Sequence, residues 1–216
     1  MALGSQRSRL LRLAWPIMIS NVTVPLVGAT DVFVMGHQPD AALLAGLGLG
    51  TAAFSLSLFS FNFLRMGTTG PASQAAGAGN MAEARAILYR ASILAVFIGI
   101  LLILIRPLII LALHVAAPAE PAVEQAAAAY LHIRLLGAPM ALIEMVLVGW
   151  LWALQDSRSA LYIQLATNLV NICLDLWFVI GLNWGVEGAA IASVLAHGCG
   201  ALLGCLIVWR RLGLDR

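Results

Sequence analysis

The sequence predicts an all-α membrane protein, a single bundle of six transmembrane helices that takes up residues 1–216. Its composition is the first reason: 62% of the residues are hydrophobic and only 10% are charged, whereas soluble domains are about half apolar and one-quarter charged. The second reason is that the apolar residues fall into runs of about 20, the length that a helix needs to cross a bilayer. The loops between these runs are short and leave no room for a soluble domain.

Six apolar runs are long enough to span a membrane, and turn-forming Gly, Pro, Asn and Asp residues separate them. The predicted spans are residues 13–35, 42–64, 87–111, 136–154, 160–181 and 187–209. A helical section at the membrane surface, residues 122–135, is expected before the fourth span. Its Ala-rich sequence carries the polar residues Glu124, His132 and Arg134.

The arginines give the bundle an orientation. All 12 basic residues are Arg, and most lie before the first span, between the second and third, between the fourth and fifth, or after the sixth. These loops share one side of the membrane, and the positive-inside rule makes that side cytoplasmic. We therefore expect a multi-pass membrane protein with both termini in the cytoplasm.

Two acidic residues, Asp31 and Asp175, lie deep inside apolar spans. At about 1.5 Å per residue, both are expected in the outer half of the membrane, and Ser193 of the sixth span reaches a similar depth. A carboxylate costs about 3 kcal/mol in hydrocarbon, so an acid in this position usually handles an ion or a proton. These two residues are therefore candidate acceptors of a proton or another cation.

The fifth span carries a polar stripe beside its acid. Asn168, Asn171 and Asp175 are spaced i, i+3 and i+7, so their side chains share one helical face. An amide that donates to a carboxylate favours its ionised form, whereas burial favours the neutral acid, and these opposed effects let the acid load and release a proton. The alternative is that the stripe only ties helices together, as polar side chains often do in membranes.

Other positions leave two interpretations open. Pro16 and Pro25 should bend the first span, and the bend is either a hinge or a static kink. Glu144, about eight residues into the fourth span, is either a second proton site or the partner of an arginine. Arg65 lies near the end of its predicted span, where its guanidinium group is expected to snorkel toward the head groups.

No motif indicates catalysis or a bound cofactor. The sequence has no nucleophile elbow, phosphate-binding loop or metal-ligand spacing, so an enzyme is not expected. The basic residues lie at the ends of spans and form no patch, which argues against nucleic-acid binding. We expect the intramembrane acids to bind a coupling ion, either a proton or sodium.

Several stretches resemble the multidrug and toxic compound extrusion (MATE) transporters over essentially the whole chain. Residues 168–175 (NLVNICLD) and 185–193 (GVEGAAIAS) are similar to the fifth and sixth helices of that family. Residues 14–21 (AWPIMISN) and 30–31 (TD) resemble its first helix. Residues 63–70 (FLRMGTTG) resemble the second helix of the DNA-damage-inducible protein F subgroup.

The resemblance implies a cation-coupled exporter of organic, often cationic compounds, built from two six-helix lobes. In the proton-coupled prokaryotic branch, an acid on the first helix and an Asn and an Asp on the fifth line a cavity, and Asp31, Asn171 and Asp175 match them. Ser193 matches a hydroxyl residue on the sixth helix, and Pro16 matches the proline at which the first helix bends. The other residues expected to line the cavity are Asn21, Thr30 and Asn168.

The chain departs from that family in length, because the family has two lobes and this sequence provides six spans. We expect the first lobe alone, which would work with a second six-helix lobe or as a homodimer, since alternating access needs two repeats that move against each other. Its other partners would be membrane lipid and a small organic substrate. The alternatives are a lipid-linked precursor flippase, which would need several inward-facing Arg in a broad cavity, and a non-transporting truncated scaffold.

Overall fold

The computed structural model describes residues 41–214 and, before them, residues 15, 18, 30, 32–34 and 36. Most of the predicted first span is therefore not covered, and four of its candidate residues lie outside the described residues: Pro16, Asn21, Pro25 and Asp31. Thr30 is helical and half-buried. Val34 is fully buried in the same apolar cluster as Val179, so this end of the first span contacts the bundle.

Residues 41–214 fold into eight helices. Their bounds are α1 Ala41–Phe59, α2 Phe63–Gly77, α3 Met81–Leu104, α4 Arg106–Ala116, α5 Pro121–Arg134, α6 Ala138–Ala153, α7 Ser157–Asp175 and α8 Gly185–Leu214. A 3₁₀ turn, Leu135–Gly137, joins α5 to α6, and a π-helical segment, Leu176–Gly181, extends α7. The described part of the chain thus forms an all-α bundle.

Five helical segments of the described part are long enough and apolar enough to cross a membrane. They are Ala41–Gly77, Met81–Leu104, Pro121–Ala153, Ser157–Gly181 and Gly185–Gly213. They correspond in order to the second to sixth predicted spans, which supports an integral membrane protein with several spans.

The second span continues well past its predicted end. The sequence predicts a stop at residue 64, but α1 and α2 together form one apolar segment that ends at Gly77. A short turn at residues 60–62 joins the two helices. Arg65 therefore lies inside this helical segment, in the first turn of α2, and its expected place near a membrane boundary stays a prediction.

The third span is interrupted where the sequence predicts one helix over residues 87–111. Helix α3 ends at Leu104, and α4 begins at Arg106 with Pro107 in its first turn. Proline has no backbone N–H to continue the ladder of an existing helix, but it suits the first turn of a new one. The break at Ile105 follows from this property.

The section predicted to lie on the membrane surface, residues 122–135, is instead part of the bundle. Helix α5 buries Ala127, Tyr130 and Leu131 and continues through the 3₁₀ turn into α6. Alternating small and large apolar residues on one side of α5 give it a face that fits against another helix. This burial carries Arg134, at the end of α5, into the interior.

Helices α1 and α5 run in the same direction in close contact. A Cβ atom on Gly50 would lie 2.8 Å from the Tyr130 ring, and one on Gly46 would overlap α5. Glycines four residues apart let two membrane helices approach closely. The next positions in the two series, Phe54 on α1 and Arg134 on α5, are also in contact.

The other half of the core joins α2, α3 and α6. The Trp150 ring is fully buried, and its Nε1 donates to the carbonyl oxygen of Ala84 at 2.8 Å. The hydroxyl of Thr69 donates to the carbonyl oxygen of Gly149 at 3.0 Å, which ties α2 to α6. The first bond holds α6 against α3, and the second holds α2, which carries Arg65, against α6.

Candidate functional site

A cavity of about 590 Å³ lies between α1, α2, α5, α6, α7 and α8. Its wall combines apolar rings and aliphatic groups with amide, hydroxyl, imidazole and guanidinium groups. The lining residues are Thr51, Phe54, Ser55, Leu58, Phe59, Asn62, Arg65, Tyr130, Arg134, Met145, Thr167, Asn168, Asn171, Ser193, Ala196 and His197. An apolar pocket with a few convergent polar groups is the usual form of a small-molecule site.

Three of the residues predicted from the sequence meet at this cavity. Asn168, Asn171 and Ser193 all line it, and Asn171 Nδ2 donates to Ser193 Oγ at 3.3 Å. The i, i+3 spacing on α7 brings both amides to one face, and α8 supplies the hydroxyl from the opposite side. Their participation in substrate binding stays a prediction.

Asp175 lies one turn beyond Asn171 and has no exposed surface. It ends α7, and the chain changes to π-helical geometry directly after it. It is not among the residues that line this cavity, and the expectation that its carboxyl group shares a polar cavity with Asp31 stays a prediction. Asp31, the other predicted intramembrane acid, lies outside the described residues, as do Asn21, Pro16 and Pro25.

Two arginines line the cavity, and sequence analysis assigned neither of them there. Arg134 has only 7% of its surface exposed, and its guanidinium carbon lies 3.9 Å from the centre of the Phe54 ring. The guanidinium group of Arg65 lies 5.5 Å from the centre of the Trp152 ring. A cation over an aromatic face gains about 2 kcal/mol when both are desolvated, so each ring helps to hold its arginine inside the bundle.

The position of Arg134 could have been found from a repeat of four residues. Tyr130 and Arg134 are one turn apart on the face of α5 that meets the glycines of α1. The prediction of a surface section at residues 122–135 concealed this relation, because polar residues near a span end were interpreted as exposed.

Glu144 forms a buried hydrogen-bonded cluster behind the cavity wall. Its Oε1 accepts from Thr167 Oγ1 at 2.8 Å, and its Oε2 lies 2.8 Å from Nδ1 of His197. Thr167 and His197 both line the cavity. Among the described residues, the partners of Glu144 are thus a hydroxyl and an imidazole, and no arginine is paired with it there.

A glycine makes room for the Glu144 cluster. A Cβ atom on Gly200 would lie 2.8 Å from Glu144 Oε2 and would overlap the hydroxyl of Thr167. Any larger residue would push the carboxylate away from its partners. In the part of the chain that the structure describes, no group of three or more His, Cys, Asp and Glu side chains could hold a metal ion.

Comparison with known proteins agrees with this architecture. The chain is 41% identical to the DNA damage-inducible protein F of Escherichia coli over 98% of its own length and 46% of that protein. It is 30% identical to the probable multidrug resistance protein NorM of Thermotoga maritima over 95% of its length and 45% of that protein. The chain therefore spans about half the length of these curated relatives.

A solved structure has the same fold. It is described as the outward-facing conformation of a multidrug resistance MATE family transporter of the MOP superfamily, and it matches 94% of this chain and 45% of its own with a TM-score of 0.85 at 26% identity. The family model MatE matches residues 16–177, which is most of the chain. The chain therefore belongs to the MATE family, whose members are membrane transporters and not enzymes.

Proposed function

We propose that the chain is the first six-helix lobe of a proton-coupled exporter of organic compounds, organic cations among them, in the bacterial inner membrane. Asp31 and Asp175 would accept the coupling proton, with sodium as the alternative ion. The observation that carries the proposal is the complete burial of Asp175 in an apolar bundle, beside the polar pair Asn171 and Ser193. An ionisable group inside a membrane protein is expensive and is usually retained for function.

The charge of a buried carboxyl group decides what the lobe can hold. The ionised acid attracts a cation, and the neutral acid costs less in an apolar surrounding. Protonation from outside would weaken the hold on a cationic substrate and favour its release. Val34, three residues after Asp31 in the sequence, shares a buried cluster with Val179, four residues after Asp175, and this supports joint action of the two acids.

The remaining predicted residues fit around this pair in the proposal. Asn21, Thr30, Asn168, Asn171 and Ser193 would provide the polar wall for substrate. The bends at Pro16 and Pro25 would act as hinges of the first helix when the acids change charge. The second lobe would come from a separate chain, from further sequence or from a second copy, since one lobe alone has no repeat to move against.

Transport by reconstituted protein tests this function. The chain is placed in proteoliposomes together with a complementary six-helix lobe, and efflux of a fluorescent organic cation is driven by a pH gradient or, separately, by a sodium gradient. We expect pH-driven efflux that Asp175→Asn removes and that the exposed control Glu187→Gln keeps. Efflux that follows only the sodium gradient, or that survives Asp175→Asn, would overturn proton coupling by this residue.

The orientation has its own test. Reporter fusions at Arg216 and at Pro118 are expected on opposite sides of the inner membrane, with Arg216 in the cytoplasm, because the arginine-rich loops lie on that side. Reporters on the same side would contradict six spans.

A further inference from the structure

Arg134 is a buried cation that the proposed proton chemistry does not use. Its side chain is 93% removed from the surface, since only 7% is exposed, yet it borders the cavity. Among the residues that the structure describes, none forms a hydrogen bond with its Nε or Nη1. A buried charge is normally paired with an opposite charge or bound to a ligand.

No carboxylate of the described cavity wall neutralises this charge. The charged residues that line the cavity are Arg65 and Arg134. The imidazole of His197 also lines it. Glu144 lies behind the wall with both carboxylate oxygens occupied by Thr167 and His197. The described wall therefore has an excess of positive charge, which suits a negatively charged ligand and disfavours a simple cation at this end.

The packing of α5 holds Arg134 in one place. Tyr130, one turn earlier, lies against Gly50, and the face of the Phe54 ring holds the guanidinium plane. A planar guanidinium group presents its N–H donors as a rigid fork that matches the geometry of carboxylate, sulfonate or phosphate. The unused Nε and Nη1 donors are two atoms of that fork.

We infer that Arg134 binds the oxyanion of an amphipathic organic substrate, with Arg65 as the second cation of the cavity. The apolar body of the substrate would lie against the ring and aliphatic groups of the wall, such as Leu58 and Met145. The inference deepens the proposed function, because it names the chemistry of one end of the substrate. A zwitterionic compound could satisfy both Arg134 and a buried acid, whereas a compound with only a cationic group would leave Arg134 unpaired.

An equilibrium binding experiment tests the inference on the purified chain alone. Titration calorimetry compares 2-naphthylacetate with its primary amide, 2-naphthylacetamide, which has the same ring and no charge. We expect the carboxylate to bind at least about tenfold more tightly, since charge-assisted hydrogen bonds are roughly twice as strong as neutral ones. Equal affinities, or tighter binding of the amide, would overturn the inference.

Variants assign the preference to one residue. Arg134→Gln should remove the preference for the carboxylate, and the matched control Arg106→Gln, on α4 and away from the cavity wall, should keep it. Retention of the preference in a folded Arg134→Gln protein would contradict the assignment. If that variant does not fold, infrared spectroscopy of ¹³C-labelled naphthylacetate on the wild-type chain replaces it: a bound carboxylate stretch shifted from that in water supports pairing with a guanidinium group, and an unshifted stretch refutes it.

The same oxyanion chemistry is found on anionic lipids, and a lipid arm separates the two sources. The titration is repeated in nanodiscs of phosphatidylcholine with and without phosphatidylglycerol. Competition by phosphatidylglycerol that Arg134→Gln abolishes would identify a lipid phosphate as the occupant, which favours the flippase alternative. Unchanged affinity would identify a water-soluble acid.

Failure of this inference and failure of the proposed function give different results. The binding assay needs no second lobe and no ion gradient, so it can succeed when transport fails. Asp175→Asn should leave the carboxylate preference intact, because Asp175 does not line the cavity. Loss of the preference in this variant would mean that Arg134 does not act as an independent site.

Discussion

Helices α5 and α7 bring polar side chains to the same cavity, but they carry opposite kinds of group. On α7 and its neighbour α8, amides and a hydroxyl line the wall, and a carboxyl group is sealed one turn beyond them. On α5, a guanidinium group borders the cavity directly and rests on an aromatic ring. In the proposals made above, the acid would take up the coupling ion and the arginine would contact the ligand.

The difference also separates two ways in which a membrane bundle tolerates charge. A buried carboxyl group becomes neutral by taking up a proton, so its cost falls when it is loaded. An arginine remains charged at every physiological pH and must find an aromatic face, water or an anion. The two sides of the cavity should therefore respond to different experiments.

The largest effects should come from removing the ionisable group of Asp175 and the charge of Arg134 in two separate variants. We expect Asp175→Asn to abolish pH-driven efflux in the two-lobe system while anion binding is retained. Arg134→Gln should instead lower the affinity for the carboxylate probe by about tenfold or more. The pH dependence of the residual transport should persist. Parallel titrations and efflux assays on both variants measure these effects. If both variants fail in the same assay, Asp175 and Arg134 do not have separate functions.

The helical architecture could be predicted because it follows from local rules. The same holds for the amide side of the cavity, which consists of Asn168, Asn171 and Ser193. Apolar runs of about 20 residues predict spans, and a polar stripe at i and i+3 predicts a shared face. Asn168, Asn171 and Ser193 do meet at one cavity. Spacing along α7 predicted the shared face and depth predicted the level of Ser193, whereas the resemblance to the transporter family implied that these residues line a cavity.

The guanidinium side of the cavity consists of Arg65 and Arg134. It could not be predicted because it depends on contacts between segments that are distant in the sequence. Arg134 becomes a cavity residue only because Gly46 and Gly50 let α5 approach α1 closely, a relation between residues about 80 positions apart in the sequence. Arg65 was not assigned to the cavity because the apolar run ends at residue 64, whereas the helical segment continues to Gly77. The pairing of Glu144 with His197 likewise joins two helices whose register the sequence does not reveal.

The next effect concerns the space behind the amide side. Gly200→Ala should lower the free energy of unfolding by about 1–3 kcal/mol, the usual cost of overpacking, because its Cβ would displace Thr167 and the Glu144 carboxylate. Gly67→Ala is the matched control, since nothing lies within 4 Å of a Cβ atom there, and it should be neutral or stabilising by up to about 1 kcal/mol. Denaturant titration in mixed micelles, followed by far-UV circular dichroism, measures both. A Gly200→Ala protein as stable as the control would mean that the cluster has more room than the structure gives it.

A smaller effect is expected where α1 meets α5. Gly50→Ala places a methyl group 2.8 Å from the Cδ1 atom of the Tyr130 ring and 3.2 Å from the Ala127 carbonyl oxygen. The helices must separate slightly, so we expect a loss of about 1–2 kcal/mol in stability and a weaker carboxylate preference, because Phe54 and Arg134 lie one turn further along the same contact. Gly48→Ala, on the same helix but with open space around the added atom, is the control for helix propensity. A full carboxylate preference in Gly50→Ala would show that the glycine contact does not position Arg134.

The smallest effect should belong to the single bond between α7 and α8. Asn171 Nδ2 and Ser193 Oγ are 3.3 Å apart, which is long for a hydrogen bond, and such bonds in membrane bundles contribute about 0.6 kcal/mol on average. A double-mutant cycle of Asn171→Ala and Ser193→Ala should therefore give a coupling energy in the free energy of unfolding of about 0.5–1 kcal/mol. If the two residues serve mainly to line a substrate site, each single variant should weaken ligand binding more than it weakens the fold. A coupling energy above about 2 kcal/mol would instead identify the pair as a main structural link between these helices, and the amide side of the cavity would then be built for stability before binding.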